Sequence, residues 1–291
     1  MRGLQRVARD GARGLRLVGG QEARVPRLVG RQGCADRAGI VSRIMPVDSA
    51  LEASGSGRRL QRRVAEGLGR EIASGVRPAD SQIVPEEIGR RYDVSRTVVR
   101  EAFRALEARG MIRARPRAGT QVQPESSWNL LDPDVIQWRA AGPAGETQLQ
   151  ELLLLREAVE PAAARLFASS GRTARQQELS AAAAELALAA EARSLPRFTS
   201  ADQSFHRVLV EGSGNAVLTQ LLGTIAAALD SRYGSGVPTF TAATDRAVDQ
   251  HRRLAEAIEA GDADRAESAA RTLVRDTAAE IRATSVSGGS I

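Results

Sequence analysis

The segment DVSRTVVREAFRALEARGMI, residues 93–112, constrains the fold more than any other part of this chain. Val99, Ala102, Phe103 and Leu106 fall at i, i+3, i+4 and i+7, the spacing of a helix that lays one face on a core. Arg96, Arg100 and Arg104 form a second stripe at four-residue spacing. Ser95 is placed to cap the start, its hydroxyl accepting from a free backbone N–H of the first turn, and Gly110 to stop the helix. Such a helix is either an ordinary solvated one with surplus arginine or a surface built to meet a polyanion. Its neighbours decide between the two.

Upstream, Leu60, Val64, Leu68 and Ile72 recur every fourth residue and predict a helix closed by Gly75, followed by an extended piece over 76–84. Pro85 suits the first position of a second helix, where its missing N–H would be unpaired anyway, and Glu86 and Glu87 complement the dipole at that end. That helix ends near Tyr92. Downstream, Ile112 and Ala114 alternate with arginines, residues 116–119 carry turn chemistry, and Thr120 and Val122 alternate back, which predicts a two-stranded wing. Helix, short helix, tight turn, helix and wing make a winged helix-turn-helix, whose recognition helix lays its N-terminal side chains in the major groove of DNA.

Charge supports that division. The chain has 291 residues, enough for two domains, and its formal charge of +6 is unevenly spread. Residues 1–44 hold ten arginines against three acids, residues 45–124 fifteen against ten, and residues 125–291 sixteen against 22. A basic module joined to an acidic body fits a polyanion-binding part attached to something that must not bind polyanions. The first 44 residues are rich in Gly and Arg, lack apolar periodicity and contain the only cysteine, Cys34, so no intrachain disulfide forms, as expected in a reducing cytosol. They offer no apolar core for a secretory signal, and no run in the chain approaches the ~18 apolar residues of a membrane span. Their arginine-rich, acid-poor composition is shared with organelle transit peptides, but serine is scarce. A disordered arm is expected, either read through from a misplaced start with Met45 as the true beginning or serving as a nucleic-acid-binding tail.

VSRTVVREAFRALEARGMI, with a basic wing ending RAGTQV, resembles the DNA-binding domain of the GntR family of bacterial transcription regulators over residues 58–124. The resemblance implies that Arg96 and Arg100 approach bases or phosphates, with Ser95, Thr97 and Arg104 close by, and that the wing, carrying Arg115, Arg117 and Gly119, reaches the adjacent minor groove. Arginine suits this work because its planar fork can bond guanine O6 and N7 together. Glu86 stands where many members carry a DNA-touching arginine, which predicts a different base preference. Further on, LLLLREAVEPAAARLFA, ADQSFHRVLVEGSGNAVL and DQHRRLAEAIEAGDADRAESAA resemble the FCD-type effector-binding bundle of the FadR subfamily over residues 147–284. With WNLLDPDVIQW between the two parts, the arrangement is similar to the sugar-acid branch typified by galactonate-operon regulation.

The expected fold is therefore mainly α: an arm over 1–57, a winged helix-turn-helix with a small β wing over 58–124, a linker over 125–146, an all-α bundle of about six helices for effector binding and dimerisation over 147–284, and a flexible tail over 285–291. Within the linker a short helix is expected, capped by Asp132 with Pro133 first, and Trp128 and Trp138 are expected to pack the two domains together.

The chain has two histidines, and both fall on apolar faces. Phe198, Ala201, Asp202, Phe205, His206 and Leu209 share one helix face; Val248, His251, Ala255 and Ile258 share another. Burying such groups without partners costs about 1–3 kcal/mol each, so something inside should satisfy them. Asp202 and His206, at i and i+4, can chelate one cation, with His251 from a facing helix as third ligand. The FCD resemblance implies a divalent metal, zinc or similar, held by Asp and three His, but Leu273 occupies the position of the last His. Open coordination sites would take an effector's carboxylate. A metal-free pocket using the same residues, or two internally satisfied core histidines, are the alternatives. Arg156 is a candidate to pair an acidic effector, or else forms an ion pair with Glu157, Glu160 or another helix. A metal-dependent hydrolase built on Asp202, His206 and His251 is the rival class, and an oligomeric scaffold a third. A DNA-reading module argues against an enzyme. The combined expectation is a cytoplasmic homodimer on a pseudo-palindromic operator, most naturally a repressor, with a small carboxylate favouring one of two arrangements.

Overall fold

The four-residue periodicities produce helices where they were expected. Helix α1 (Val47–Ala73) buries Val64, Leu68 and Ile72, and Gly75 turns the chain at φ +79°. In this computed structural model residues 47–115, 119–234 and 240–288 are described, the side chains of 47–56 and 284–288 excepted. Residues 1–46 of the expected arm over 1–57, Arg117 and the last three residues of the expected tail lie outside the described residues, whereas 47–57 and 285–288, expected as arm and tail, belong to helices, the first to α1 and the second to the helix that ends at Gly288.

Helix α2 (Pro85–Tyr92) starts on its proline and ends at Asp93, which adopts the left-handed conformation at φ 50°. Helix α3 (Arg96–Ala108) is capped by Ser95, whose Oγ accepts from Val98 N at 3.4 Å, and it buries Val99, Ala102 and Leu106. Phe103 departs from the expected pattern: it is half-buried, packing on the head core while also lining the groove between α2 and α3. The wing pairs β2 (Ile112–Arg115) with β3 (Gly119–Val122) in antiparallel register, Ile112 opposite Val122 and Arg115 opposite Gly119. A third strand, β1 (Gln82–Ile83), pairs with the other edge of β3, giving the order β1-β3-β2 instead of two strands. The addition buries Ile83 against the head core, which a two-stranded ribbon would have left half in water.

After a 3-10 turn at Glu125–Ser127 comes α4 (Pro133–Ala140), whose N-cap Asp132 accepts from the backbone N–H of Asp134 at 2.9 Å and of Val135 at 3.3 Å. The bundle follows: α5 (Gly145–Ala168), α6 (Thr173–Glu191), α7 (Leu195–Gly212), α8 (Ala216–Thr219), α9 (Leu222–Gly234), α10 (Ala242–Glu259) and α11 (Ala263–Gly288). The helix beyond the expected six is the single turn α8, capped by Asn215. Phe167, Leu179, Leu186, Phe205, Leu209, Leu254 and Ile258 form the bundle core. Residues from 46 onward make one compact unit, and α4 belongs to both of its cores. Val135 and Trp138 pack with the head, while Ile136 packs with Leu152, Ala227 and Ala228 of the bundle.

Trp138 is keyed into α1 at Gly69: a Cβ there would stand 2.4 Å from Trp138 Cε3. Replacing a helix-interior glycine by alanine ordinarily gains about 1 kcal/mol. Here Gly69→Ala is expected to destabilise instead, by about 1–3 kcal/mol of overpacking. Urea unfolding followed by tryptophan emission tests this, and unchanged or raised stability would show that the indole is free to move aside.

Candidate functional site

Two chemically distinct surfaces stand out, one in the head and one in the bundle. In the head, Arg96, Thr97, Arg100 and Arg104 are exposed along α3, and Arg115 and Gly119 are exposed and paired across the wing. A concavity of about 700 Å³ runs between α2, α3 and the wing, with Glu86, Arg90, Arg96, Arg100, Phe103 and Arg104 in its wall. Glu101 holds Arg104 at 2.9 Å and Arg100 more loosely at 3.7 Å. Arg96 forms no ion pair among the described residues. Surface pairs of this kind contribute little to stability, so these guanidinium groups remain available to another anion. Ser95 spends its side chain on the cap.

The second surface is internal. Asp202 and His206 on α7 and His251 on α10 are buried, and ligand atoms of the three lie within 4.8 Å of one another. His251 Nδ1 is 2.7 Å from the Ala247 carbonyl oxygen. A carbonyl only accepts, so Nδ1 carries a proton and Nε2 is the nitrogen turned toward the carboxylate. That Nε2 faces Asp202 Oδ1 at 3.2 Å, too poorly aligned for a hydrogen bond, and has no hydrogen-bond partner. His206 is oriented similarly: Nδ1 lies 3.0 Å from Glu160 Oε2, and Nε2 lies 3.6 Å from Asp202 Oδ1. Asp202 Oδ2 accepts from the Tyr233 hydroxyl at 2.9 Å.

A buried imidazole nitrogen with no hydrogen-bond partner, 3.2 Å from a carboxylate oxygen, calls for a cation or a proton to bridge the two. One carboxylate oxygen and two imidazole nitrogens, each ring held from behind by an acceptor on its other nitrogen, is a donor set that zinc and similar divalent ions accept. The described residues thus fit a metal with three protein ligands. Leu273 is buried in the apolar core and supplies none.

Arg156 and Glu160, one turn apart on α5, close the cluster. Arg156 Nε donates to Glu160 Oε1 at 2.7 Å, so the intrahelical ion pair left open by the sequence is present. Arg156 Nη2 lies 3.0 Å from His206 Nε2 and 3.4 Å from Nδ1. A donor nearly equidistant from both ring nitrogens rests against the ring face, well off the in-plane lone pairs, and so does not occupy the position a metal would take. Burial alone would raise both carboxyl groups. Arg156 and His206 nevertheless hold Glu160 at about 2, and the close approach of the two imidazoles, His206 first, holds Asp202 well below the usual carboxylate range. Burial likewise opposes charge on His206, but Glu160 and Asp202 outweigh it and raise the imidazole above its ordinary value. The Tyr233 hydroxyl is pushed up by burial and by Asp202, which keeps it a donor.

Residues 60–122 match the bacterial regulatory proteins described as the gntR family, and residues 151–276 match the FCD domain. The chain is 32% identical over 213 residues to the uncharacterized HTH-type transcriptional regulator YieP of Escherichia coli, covering 73% of this chain and 91% of that protein. The chain belongs to the GntR family. This regulator is also 28% identical to the galactonate operon transcriptional repressor of Escherichia coli, over 76% of its own length and 96% of that protein. Among solved structures, the Listeria monocytogenes protein Lar shares the fold at 16% identity and a TM-score of 0.51, with 77% of this chain and 96% of that one covered.

For a GntR regulator with an FCD domain, the sequence had marked Asp202, His206, His251 and Arg156, and the fold brings all four together. Glu160 was visible only as a partner for Arg156; that it also faces His206 follows from α5 packing on α7. Tyr233 left no signal, because its contact with Asp202 spans 31 residues and depends on where α9 lies. Among the described residues no helix is long and apolar enough to cross a membrane.

Proposed function

We propose that this regulator is a cytoplasmic homodimeric repressor that grips a pseudo-palindromic operator through α3 and the wing and lets go when a small acidic metabolite enters the bundle. Arg96, Thr97, Arg100 and Arg104, with Arg115, Arg117 and Gly119 of the wing, are the proposed DNA contacts. Asp202, His206 and His251 are the proposed ligands of a divalent metal, and Arg156 with the open coordination sites the proposed receptor for the effector's carboxylate. A metal there would polarise and orient that carboxylate. The single observation that carries this reading is the separation of chemistry within one compact unit: solvent-exposed arginines on α3, held at most by surface ion pairs to Glu101, and a buried, under-satisfied Asp/His/His cluster in the bundle. Kinship with a galactonate operon repressor favours a sugar acid as effector and release as the response.

Homodimerisation finds support in α5. Leu154 and Leu166 are 67% and 43% exposed, and with the exposed Ala158 and Ala162 they form an apolar stripe at four-residue spacing, an unusual face to leave in water. Leu154→Arg is expected to convert a two-chain particle into single chains in light scattering. A wild-type particle of one chain would contradict the dimer.

The hydrolase alternative finds no support. A general base should titrate near the working pH, whereas Glu160, the carboxylate beside the cluster, is held at about 2 and engaged by Arg156. The relatives are regulators.

His206→Ala tests the division of labour. In gel shifts with a panel of sugar acids, the variant is expected to hold operator DNA as wild type does and to ignore the acid that releases wild type. Simultaneous loss of operator binding would mean that the cluster serves the fold rather than the effector.

A further inference from the structure

Helix α9 touches the buried cluster at one end and the head's attachment at the other. Near its C-terminus Tyr233 donates to Asp202 Oδ2 at 2.9 Å. Near its N-terminus the buried Thr224 donates to the Leu131 carbonyl at 2.6 Å. Leu131 directly precedes Asp132, the N-cap of α4. Asp132 Oδ1 also accepts from Arg109 Nε at 3.0 Å, and Asp134 pairs with the same guanidinium. Arg109 is the C-cap residue of α3, the helix that carries the exposed arginines. Polar contacts in series therefore join the cluster to the recognition helix.

The two seams of α4 differ mechanically. Toward the head it is keyed: Trp138 sits against the α1 backbone at Gly69, and the Arg109 guanidinium lies 5.7 Å from the Trp138 ring centre. Toward α9, Ile136 packs with Ala227 and Ala228, side chains too short to interdigitate deeply, and the close approach is at the start of α4, where a Cβ on Gly223 would stand 3.0 Å from Pro133 Cγ. Shallow alanine ridges allow small sliding of one packed helix on another. On its third side α4 is tied to α5, where Gln148 Nε2 donates to the Ile136 carbonyl at 2.8 Å and Gln148 Oε1 accepts from Arg139 Nη1 at 2.9 Å, so the direct polar link from α9 into this segment is the Thr224 bond to Leu131.

We propose that α9 is the transmitting element: occupation of the Asp202 cluster displaces α9 along its alanine seam, and the Thr224 bond to Leu131 carries that displacement into α4 and the Arg109-held end of α3. The proposal rests on the reading of the cluster as a metal and effector site. Its driving step is local. Tyr233 fixes one orientation of the Asp202 carboxylate through Oδ2, and engaging Oδ1 jointly with His206 and His251 would reorient that carboxylate and alter the bond, which would give a ligand different contacts in the two arrangements.

Hydrogen–deuterium exchange of the full chain, with and without saturating zinc, tests this, zinc occupancy being checked by competition with a coloured chelator. In wild type, zinc is expected to change exchange by at least about fivefold, the lower end for coupled sites, in α7 and α10, in α9, in α4 and at the end of α3. Tyr233→Phe should confine the change to α7 and α10. Thr224→Val should let it reach α9 and stop it before α4, and Thr224→Ser should restore the full spread. A wild-type change that ends at α7 and α10, or one that reaches α3 undiminished in both blocking variants, overturns the proposal while leaving the metal reading intact. Absence of zinc binding in the chelator competition overturns the metal reading and this coupling with it.

Discussion

Arg100→Ala is expected to weaken operator binding by roughly five- to hundredfold, the effect of losing one bidentate base contact worth about 1–3 kcal/mol. The fold should not notice. Arg100 is 65% exposed and its ion pair with Glu101 is long, at 3.7 Å, so removing it opens no cavity and strands no buried partner. Thermal unfolding should therefore coincide with wild type. Arg100→Lys separates two kinds of contact: a lysine can still neutralise a phosphate but cannot bond a guanine edge with a fork, so it should retain salt-dependent binding while losing preference among sequences. Full retention of sequence preference in Arg100→Ala would remove Arg100 from base reading and leave Arg96, Thr97 and the wing as its seat.

The largest stability effect should come from Glu160→Ala. The Arg156–Glu160 pair is fully enclosed, with both side chains at or below 3% exposure. Breaking such a pair leaves an uncompensated buried guanidinium and costs about 3–5 kcal/mol, a sizeable part of what a bundle of this kind can spare. Replacing both partners with apolar residues of similar volume should recover much of the loss, since the penalty lies in the orphaned charge. Acid should act in the same direction. Glu160 is depressed from 4.5 to about 2, so its contribution is fully present above its unfolded value and is lost as pH falls from there through about 2. Chemical denaturation of wild type across that range should show declining stability, and Glu160→Gln should flatten the decline. A variant as stable as wild type at neutral pH would show that Arg156 finds another anion or water.

Local features were legible in the sequence because each is decided within a few residues. Ser95 and Asp132 cap their helices, Pro133 starts one, and the faces carrying Asp202, His206 and His251 turn inward because helical period alone aligns them with Phe205 and Ile258. What escaped was decided by packing between distant segments. A two-residue strand such as β1 has no periodicity to read, and its existence depends on β3 offering an edge. Phe103 shares the helical phase of core residues yet sits half out, because the groove between α2 and α3 leaves room beside it. Arg156 had a partner one turn away in Glu160, but only the approach of α7 to α5 shows that the same pair also braces His206.

The roles of α4 and Tyr233 belong to the same class. The segment expected as a linker does contain the predicted short helix, but sequence alone does not show that this helix is shared by two cores. That depends on Val135 and Trp138 facing one way and Ile136 the other. Tyr233 reaches Asp202 only because α9 crosses α7 at that point.

The most direct test of the whole account is binding of the full-length chain, at modest ionic strength, to fluorescent duplexes from the DNA upstream of its own gene, against bulk competitor and with sugar acids then titrated in. The account predicts that one fragment is retained through excess competitor and released by a particular acid. Equal loss of every fragment to competitor, or retention that no acid disturbs, would contradict it.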